Sequence, residues 1–318
     1  MGRVLIARFG RLVATLFAVT FLSFMLTSLL PGDPAVAVLG QDGIQNEELL
    51  EQVREDLGLN RPIPTRYLEW LGNALTLDLG ESYINKGQDV WSDVILARFP
   101  VTAQLAIMAI GIAVILAVPI GIIGAYREGK WQDSTTSAAV QVALSVPNFI
   151  TGIFLIWLFS VQLGWLPASN WNRLGDGLVD NLKTSILPAL ALASTQMAIF
   201  SRLVRADMIA TLKENYILSA RAKGLSDKYI LVRHALRPSS LSLMTIVGIN
   251  FGALLGGTVV IETLFAIPGL GFRLINAINQ RDILVIQGIT VFVAVVYVVI
   301  NTVVDLLYAV IDPRIRRS

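Results

Sequence analysis

VTAQLAIMAIGIAVILAVPIGIIGAY, residues 101–126, runs for 26 positions without a charge. The hydrocarbon core of a bilayer is about 30 Å thick and takes about 20 apolar helical residues to cross. The stretch is long enough, and in lipid its backbone groups can bond only to one another, so it reads as a transmembrane helix. Five further segments read the same way. Leu12–Leu30 is uncharged, and so is Ser134–Trp171, whose apolar body ends near Leu163. Thr184–Ser201 lies between Lys183 and Arg202 and holds Pro188 near its start, where a helix tolerates proline. Pro238–Ile261 lies between Arg237 and Glu262, and Ile283–Val304 between Asp282 and Asp305. The expected fold is an all-α polytopic membrane protein with six transmembrane helices.

Composition points the same way. Of 318 residues, 54% are hydrophobic and 15% charged, against about 25% charged in soluble domains. The charges crowd between the apolar runs. A net charge of +2 is too small to indicate nucleic acid as a partner. The chain has no Cys, which excludes disulfides and thiolate metal sites. Its one histidine, His234, excludes paired-histidine metal sites and any Ser/His or Cys/His catalysis that does not use it. The expectation is therefore no catalytic residue, no metal site and no cofactor bound by this chain. The first apolar run starts basic (Arg3, Arg8, Arg11), as a signal peptide does. It is long for one, and Pro31-Gly32-Asp33-Pro34 follows it rather than a small-residue cleavage site, so it reads as a retained span.

Lys and Arg set the orientation. With the N-terminus in the cytoplasm, the inner regions hold 16 basic and 6 acidic residues and the outer loops 9 basic and 16 acidic, Asp305 at a span boundary left aside. The imbalance favours both termini inside, and the tail residues Arg314, Arg316 and Arg317 agree. The chain then divides into a cytoplasmic tail and first span (1–30), an extracytoplasmic helical insertion (31–98), a five-helix core (99–311) containing a cytoplasmic loop at 207–237, and a cytoplasmic tail (312–318).

Within the insertion, Asn46 can cap a helix bearing Leu49, Leu50, Val53 and Leu57, with Gly58 at its end. After Pro62 and Pro64, the residues Tyr67, Trp70, Leu71, Ala74 and Leu75 recur at helical spacing, and Val90, Trp91, Val94 and Ile95 suggest a third short helix. Two readings stand: a solvated cap, or a dock for a partner that delivers substrate. The loop Arg202–Arg237 carries 8 basic and 3 acidic residues. Glu214–Lys223 reads as a helix with Tyr216, Ile217 and Ala220 on one side, and Gly224 suits the left-handed position after it. Ser226 can cap a second helix bearing Tyr229, Val232 and Leu236, and Pro238 limits its continuation. The pair forms a knuckle that a soluble partner can grip; the plainer alternative is a basic loop on anionic lipid.

The stretch Asn215-Tyr-Ile-Leu-Ser-Ala-Arg-Ala-Lys-Gly-Leu-Ser226, with Arg233-His-Ala-Leu-Arg237, resembles the cytoplasmic signature loop of ABC importer permeases, above all the dipeptide/oligopeptide/nickel branch. That pattern is Glu-Ala-Ala, three residues, Gly, nine residues, Ile-x-Leu-Pro. Gly224, Ala220 and Leu236 match it; Leu218, Ser219, His234 and Arg237 depart from it, and Pro238 sits one place late. Leu30–Ala35, Leu57–Pro62, Tyr67–Leu71 and Asp78–Gly80 are similar to that branch's B-type subunit, as are Val260–Phe265, Pro268–Gly271, Gln280–Asp282, Asp305–Tyr308 and Asp312–Arg314. The likeness covers nearly the whole chain in order.

The resemblance implies the type I importer permease fold and a subunit of a bacterial or archaeal inner-membrane complex. Its partners would be a second homologous permease, two ATPase subunits that use ATP and Mg, and an extracytoplasmic solute-binding protein. It also implies that Tyr216, Ser219, Ala220, Arg221, Ala222, Lys223, Gly224, Leu225 and Ser226 sit in a groove on one ATPase and act as a lever between inward- and outward-facing states. Di- and oligopeptides, glutathione, nickel chelates and haem are all cargo of this branch or its relatives.

Other motifs are weaker. Gly124-Ala-Tyr-Arg-Glu-Gly129-Lys130 nearly spells a phosphate-binding loop, but Trp131 stands where Ser or Thr is needed and a span precedes it, so it reads as chance. Gly248, Gly252 and Gly256 recur every four residues and suit close helix packing or a moving interface. Gln141, Asn148, Gln196, Asn250, Gln287 and Asn301 are polar groups within spans and candidates to line a path, or simply to bridge helices. Glu262 and Asp305 fall at span ends, where solvated or interfacial positions are expected rather than ion sites, and His234 reads as structural or partner-facing. A self-powered transporter or channel would show ionisable residues deep in the spans or inverted repeats, and an intramembrane hydrolase would need a catalytic set there. Neither is evident.

Overall fold

A computed structural model describes residues 2–28, 33, 35, 36, 38, 39, 47–56 and 58–311. Asn46, Leu57, most of Leu30–Ala35 and the tail at 312–318 lie outside them. In chain order the helices are α1 (Gly2–Ser28), α2 (Glu47–Asp56), α3 (Ile63–Leu75), α4 (Val90–Tyr126), α5 (Trp131–Ser145), α6 (Asn148–Gln162), α7 (Leu178–Leu212), α8 (Asn215–Ala222), α9 (Asp227–Gly257), α10 (Val259–Leu264), α11 (Leu270–Gln280) and α12 (Ile283–Ile311). Among the described residues the only strand-like pairing is an isolated bridge between Glu81 and Asp89. Four helices, α4, α7, α9 and α12, are long and apolar enough to cross a membrane. The pair α5 and α6 makes a fifth if taken as one bent span, and α1 carries a shorter apolar stretch, Leu12–Leu26.

Several elements differ from the sequence reading, each for a local reason. Ser134–Leu163 is not one straight span: α5 and α6 meet at 99°. Pro147 holds Val146 extended at φ −95° and ψ 119°, because its ring excludes the helical conformation from the residue before it. The third short helix expected at Val90 is the first part of α4 itself, capped by Asp89, whose carboxylate accepts the Ser92 N–H at 2.6 Å. The region expected to end at residue 98 therefore ends inside a helix. Pro188 is interior to α7, which starts at Leu178, not near a helix start. Pro238 does not separate the loop from the next span, because α9 runs through it. A π-wound stretch, Ile230–Ala235, precedes Pro238 and closes with the Leu236 N–H on the carbonyl of Leu231, five residues back. The wide turn accommodates a ring that clashes in ordinary α winding.

Contacts divide the chain into two compact units. One comprises Met1–Thr102 and Pro268–Val299. Its core gathers Phe24, Tyr67, Trp70, Val90, Val94, Ile95, Leu270, Ala277, Val285 and Ile289. Tyr67 is its hub: Phe17, Phe21 and Phe24 set ring edges against it, and its hydroxyl bonds that of Thr20 at 2.9 Å. Tyr67 and Trp70 lie buried on the inner face of α3, as their spacing predicts, whereas Leu75 is exposed.

The other unit comprises Ala103–Ile267 and Ile300–Ser318. Here α7 packs against α5, α6 and α9. Its buried Ala189, Ala191, Ala193 and Ala198 keep the flanks thin enough for that. The approach of α4 is closer still: a Cβ added to Gly121 would lie 2.7 Å from Val204 Cγ1 and 2.9 Å from the Ser201 carbonyl oxygen. Glu262 on α10 is fully buried, not solvated as its place at a span end suggested. It sits at a tight chain reversal, where its carbonyl accepts the Ile267 N–H at 2.8 Å, and the fold closes over it.

Candidate functional site

The knuckle at 214–237 is built from its own sequence. After α8 the chain turns at Gly224, with φ +75°, a conformation that costs a residue with a Cβ but not glycine. The turn is closed by Gly224 N–H to the Arg221 carbonyl at 2.9 Å and Leu225 N–H to that of Ala220 at 3.3 Å. It folds the start of α9 back so that Ile217, Ala220 and Ile230 form a small buried core, completed by Leu212.

The remaining candidate residues lie outside that core. Tyr216, Ser219, Arg221, Ala222, Lys223, Gly224, Leu225 and Ser226 are exposed; only Ala220 is buried, so it holds the knuckle together rather than meeting a partner. Tyr216 does not share the face of Ile217 and Ala220. On α9 the inward residues are Ile230 and Ala235, five apart along the π-wound stretch, while Tyr229 and Val232 are exposed. The outer surface thus presents Tyr216, Leu218, Leu225, Tyr229 and Val232, each at least 38% exposed, among basic side chains. Partial desolvation, then the Glu214 carboxylate, push the Tyr216 phenol up. His234 sets its ring edge-on to Tyr229 at 5.4 Å.

Three contacts that the sequence reading missed tie α7 and the knuckle to residues 126–133, and the second of them reaches the knuckle itself. Arg205 grips Asp133 with two bonds, Nε at 2.6 Å and an amino group at 2.8 Å, and Asp133 also accepts the Gly129 N–H at 3.0 Å. The Tyr126 hydroxyl donates to Asp227 at 2.7 Å, and Lys213 reaches Glu128 at 3.3 Å. The signal was present as Glu128 and Asp133, two acids close together between the second and third apolar runs, but spacing alone does not pair residues 72 apart.

The polar residues within spans fall in both units. Gln141 is exposed, Asn148 opens α6, and the Asn250 amide donates to the Ile246 carbonyl of its own helix at 2.8 Å. Gln196 and Asn301 each carry a buried oxygen with no hydrogen-bond partner among the described residues, and Gln287 is buried in the other unit. Of the repeated glycines, Gly248 is pressed against Val304, Gly252 is buried and Gly256 is exposed. Among the described residues no three His, Asp or Glu side chains converge as metal ligands would.

A second polar cluster, also missed, lies in the first unit. Asp282 is fully buried and accepts the Ser82 hydroxyl at 2.5 Å, the Tyr83 N–H at 3.2 Å and Arg273 at 3.4 Å. Arg273 also reaches Gln88 and Gln280.

Residues 117–317 match the family of binding-protein-dependent transport system inner membrane components, and residues 1–106 match the N-terminal region of the same class of proteins. A putative peptide transport system permease protein of Brucella abortus strain 2308 is 38% identical over 316 residues, 99% of both chains. A glutathione transport system permease protein of Shigella flexneri serotype 5b is 37% identical over 311 residues, 98% of both. In fold, an inward-facing MetNI methionine ABC transporter chain superposes with a TM-score of 0.52 at 16% identity, covering 69% of this chain and 96% of that one.

Proposed function

The chain belongs to the binding-protein-dependent transport inner-membrane components, as an ABC importer permease of the peptide family, and on that premise we propose that it forms half of the path through which ATPase partners drive peptides inward. Its cargo is short peptides, glutathione among them, handed over by an extracytoplasmic binding protein. A second, similar permease forms the other half. The chain crosses a prokaryotic inner membrane six times with both termini inside, catalyses nothing itself and relies on ATP and Mg held by the partners.

The observation that carries this reading is the knuckle. It has its own core, closed by Leu212 of α7, several exposed apolar side chains, and a bond from the Tyr126 hydroxyl to Asp227 that ties it to the end of α4. A force applied at Tyr216 and Leu225 is thereby passed to α7 and α9 rather than absorbed by a floppy loop, which is what a two-state lever requires. The test is reconstitution of the full transporter in liposomes. ATP hydrolysis is expected to rise when binding protein and peptide are present, with peptide entry coupled to it. Peptide uptake by this chain alone down an ion gradient would refute the proposal in favour of a self-powered carrier.

A further inference from the structure

A cavity of about 180 Å³ opens between α4, α5 and α7, lined by Ile120, Gly121, Thr136, Ser137, Val140, Gln141, Ser201, Arg202 and Arg205. That is over ten times the space one water needs. Its lining is mixed: Ile120, Gly121 and Val140 are apolar, and Gln141, Arg202 and Arg205 are polar or charged.

The charges decide what the cavity suits. Arg205 is neutralised by Asp133, on which Nε and one amino group are spent. The Thr136 hydroxyl is occupied by the carbonyls of Gln132 and Asp133, and that of Ser137 by the Asp133 carboxylate at 3.4 Å. Arg202 makes no salt bridge or hydrogen bond among the described residues, which leaves the cavity with one uncompensated positive charge. The other amino group of Arg205 and the Gln141 amide remain as donors beside it. One net positive charge with planar N–H donors matches a singly charged phosphodiester. The cavity also lies at the end of the apolar runs where α4 gives way to the charged loop at Arg127–Asp133, the depth of a lipid headgroup.

We propose that this cavity binds the phosphate of an anionic phospholipid, held by Arg202 with Arg205 and Gln141, while Ile120 and Val140 meet the start of the acyl chain. Arg202 is exposed and outside every brace described above, so Arg202→Gln removes the charge without breaking a contact.

The full chain is purified in detergent after exposure to phosphatidylglycerol or phosphatidylcholine, and retained lipid is counted by native mass spectrometry. Phosphatidylglycerol is expected to be retained and phosphatidylcholine not. Retention falls about tenfold in Arg202→Gln, the effect of one charge-assisted contact, and recovers in part in Arg202→Lys. Lys228→Gln, a basic residue outside the cavity, leaves it unchanged. Equal retention by Arg202→Gln and the parent chain, or of both lipids, would overturn the proposal. Displacement by millimolar inorganic phosphate without any acyl chain would overturn its lipid source and assign the site to free phosphate.

Discussion

Asp282 and Ser82 stand 200 positions apart in sequence and are joined by a 2.5 Å hydrogen bond in a fully buried pocket. The bond ties the hairpin at Glu81–Asp89 to the segment that enters α12. Because Arg273 is only 5% exposed and leans on the same carboxylate, Asp282 cannot be removed without stranding a buried cation. Asp282→Ala is expected to cost about 3–5 kcal/mol, as breaking a buried pair does. Ser82→Ala removes two bonds, the one to Asp282 and the one its oxygen accepts from the Asn85 N–H at 2.9 Å, and leaves the ion pair, for about 1–3 kcal/mol. Thermal unfolding in detergent followed by tryptophan fluorescence reads both, and equal small losses would show that the network does not hold this unit together.

Two glycines should respond in opposite order to what their settings suggest at first sight. Gly224 is in open space but at φ +75°, so Gly224→Ala costs about 1 kcal/mol through the backbone alone and loosens the knuckle. Gly121 has ordinary helical geometry, yet an added methyl meets Val204 at 2.7 Å and a backbone oxygen at 2.9 Å. That oxygen is fixed in α7 and cannot step aside. Gly121→Ala is therefore expected to cost about 1–3 kcal/mol, the range for overpacking. Melting temperatures of the two variants decide the order.

Much of this was legible from periodicity and charge alone. The apolar runs located the long helices because lipid forces backbone bonds inward, and Gly224 marked its turn because few other residues adopt that conformation cheaply. What stayed hidden has physical causes. The bend at Val146 depends on how one proline's neighbour settles, and proline inside an apolar run is tolerated as often as it breaks one: Pro188 and Pro238 sit within helices, Pro147 between two. The π winding at Ile230–Ala235 leaves no mark in spacing. The pairs Asp133–Arg205 and Asp282–Ser82 join residues far apart in sequence, and nothing in a single chain of letters says which charges meet.

Asp133 and Arg205 brace the α4–α5 loop by a two-pronged contact, and the prongs are the point. Arg205→Lys keeps the charge but offers a single centre, so the fork on the carboxylate is lost. Asp133 is 9% exposed and also holds the Gly129 N–H. Arg205→Lys is expected to speed hydrogen exchange across residues 127–133 several-fold, and Arg205→Ala more so, with a loss on the order of 2 kcal/mol in that loop, where charged hydrogen bonds are partly screened by solvent. If exchange there is unchanged in Arg205→Ala, the loop is held by something else and the brace is incidental.

Leu225 separates a lever from a lipid-binding loop. Its side chain is 38% exposed at the turn, outside the core of Ile217, Ala220 and Ile230, so Leu225→Asp leaves the chain folded and its melting temperature near that of the parent. A charge placed in an apolar contact must be desolvated there without a counter-charge, which weakens docking by about 2–5 kcal/mol. The expected result is loss of co-purifying ATPase and of peptide-stimulated ATP hydrolysis, with Leu225→Ala between the two. Ile217→Ala gives the contrast, since it empties the knuckle's core, lowers stability by about 2–5 kcal/mol and uncouples only as the knuckle unfolds. A Leu225→Asp chain that still holds its ATPase and imports peptide at the parent rate would remove the knuckle from the drive train and leave the basic loop to its plainer part, resting on anionic lipid.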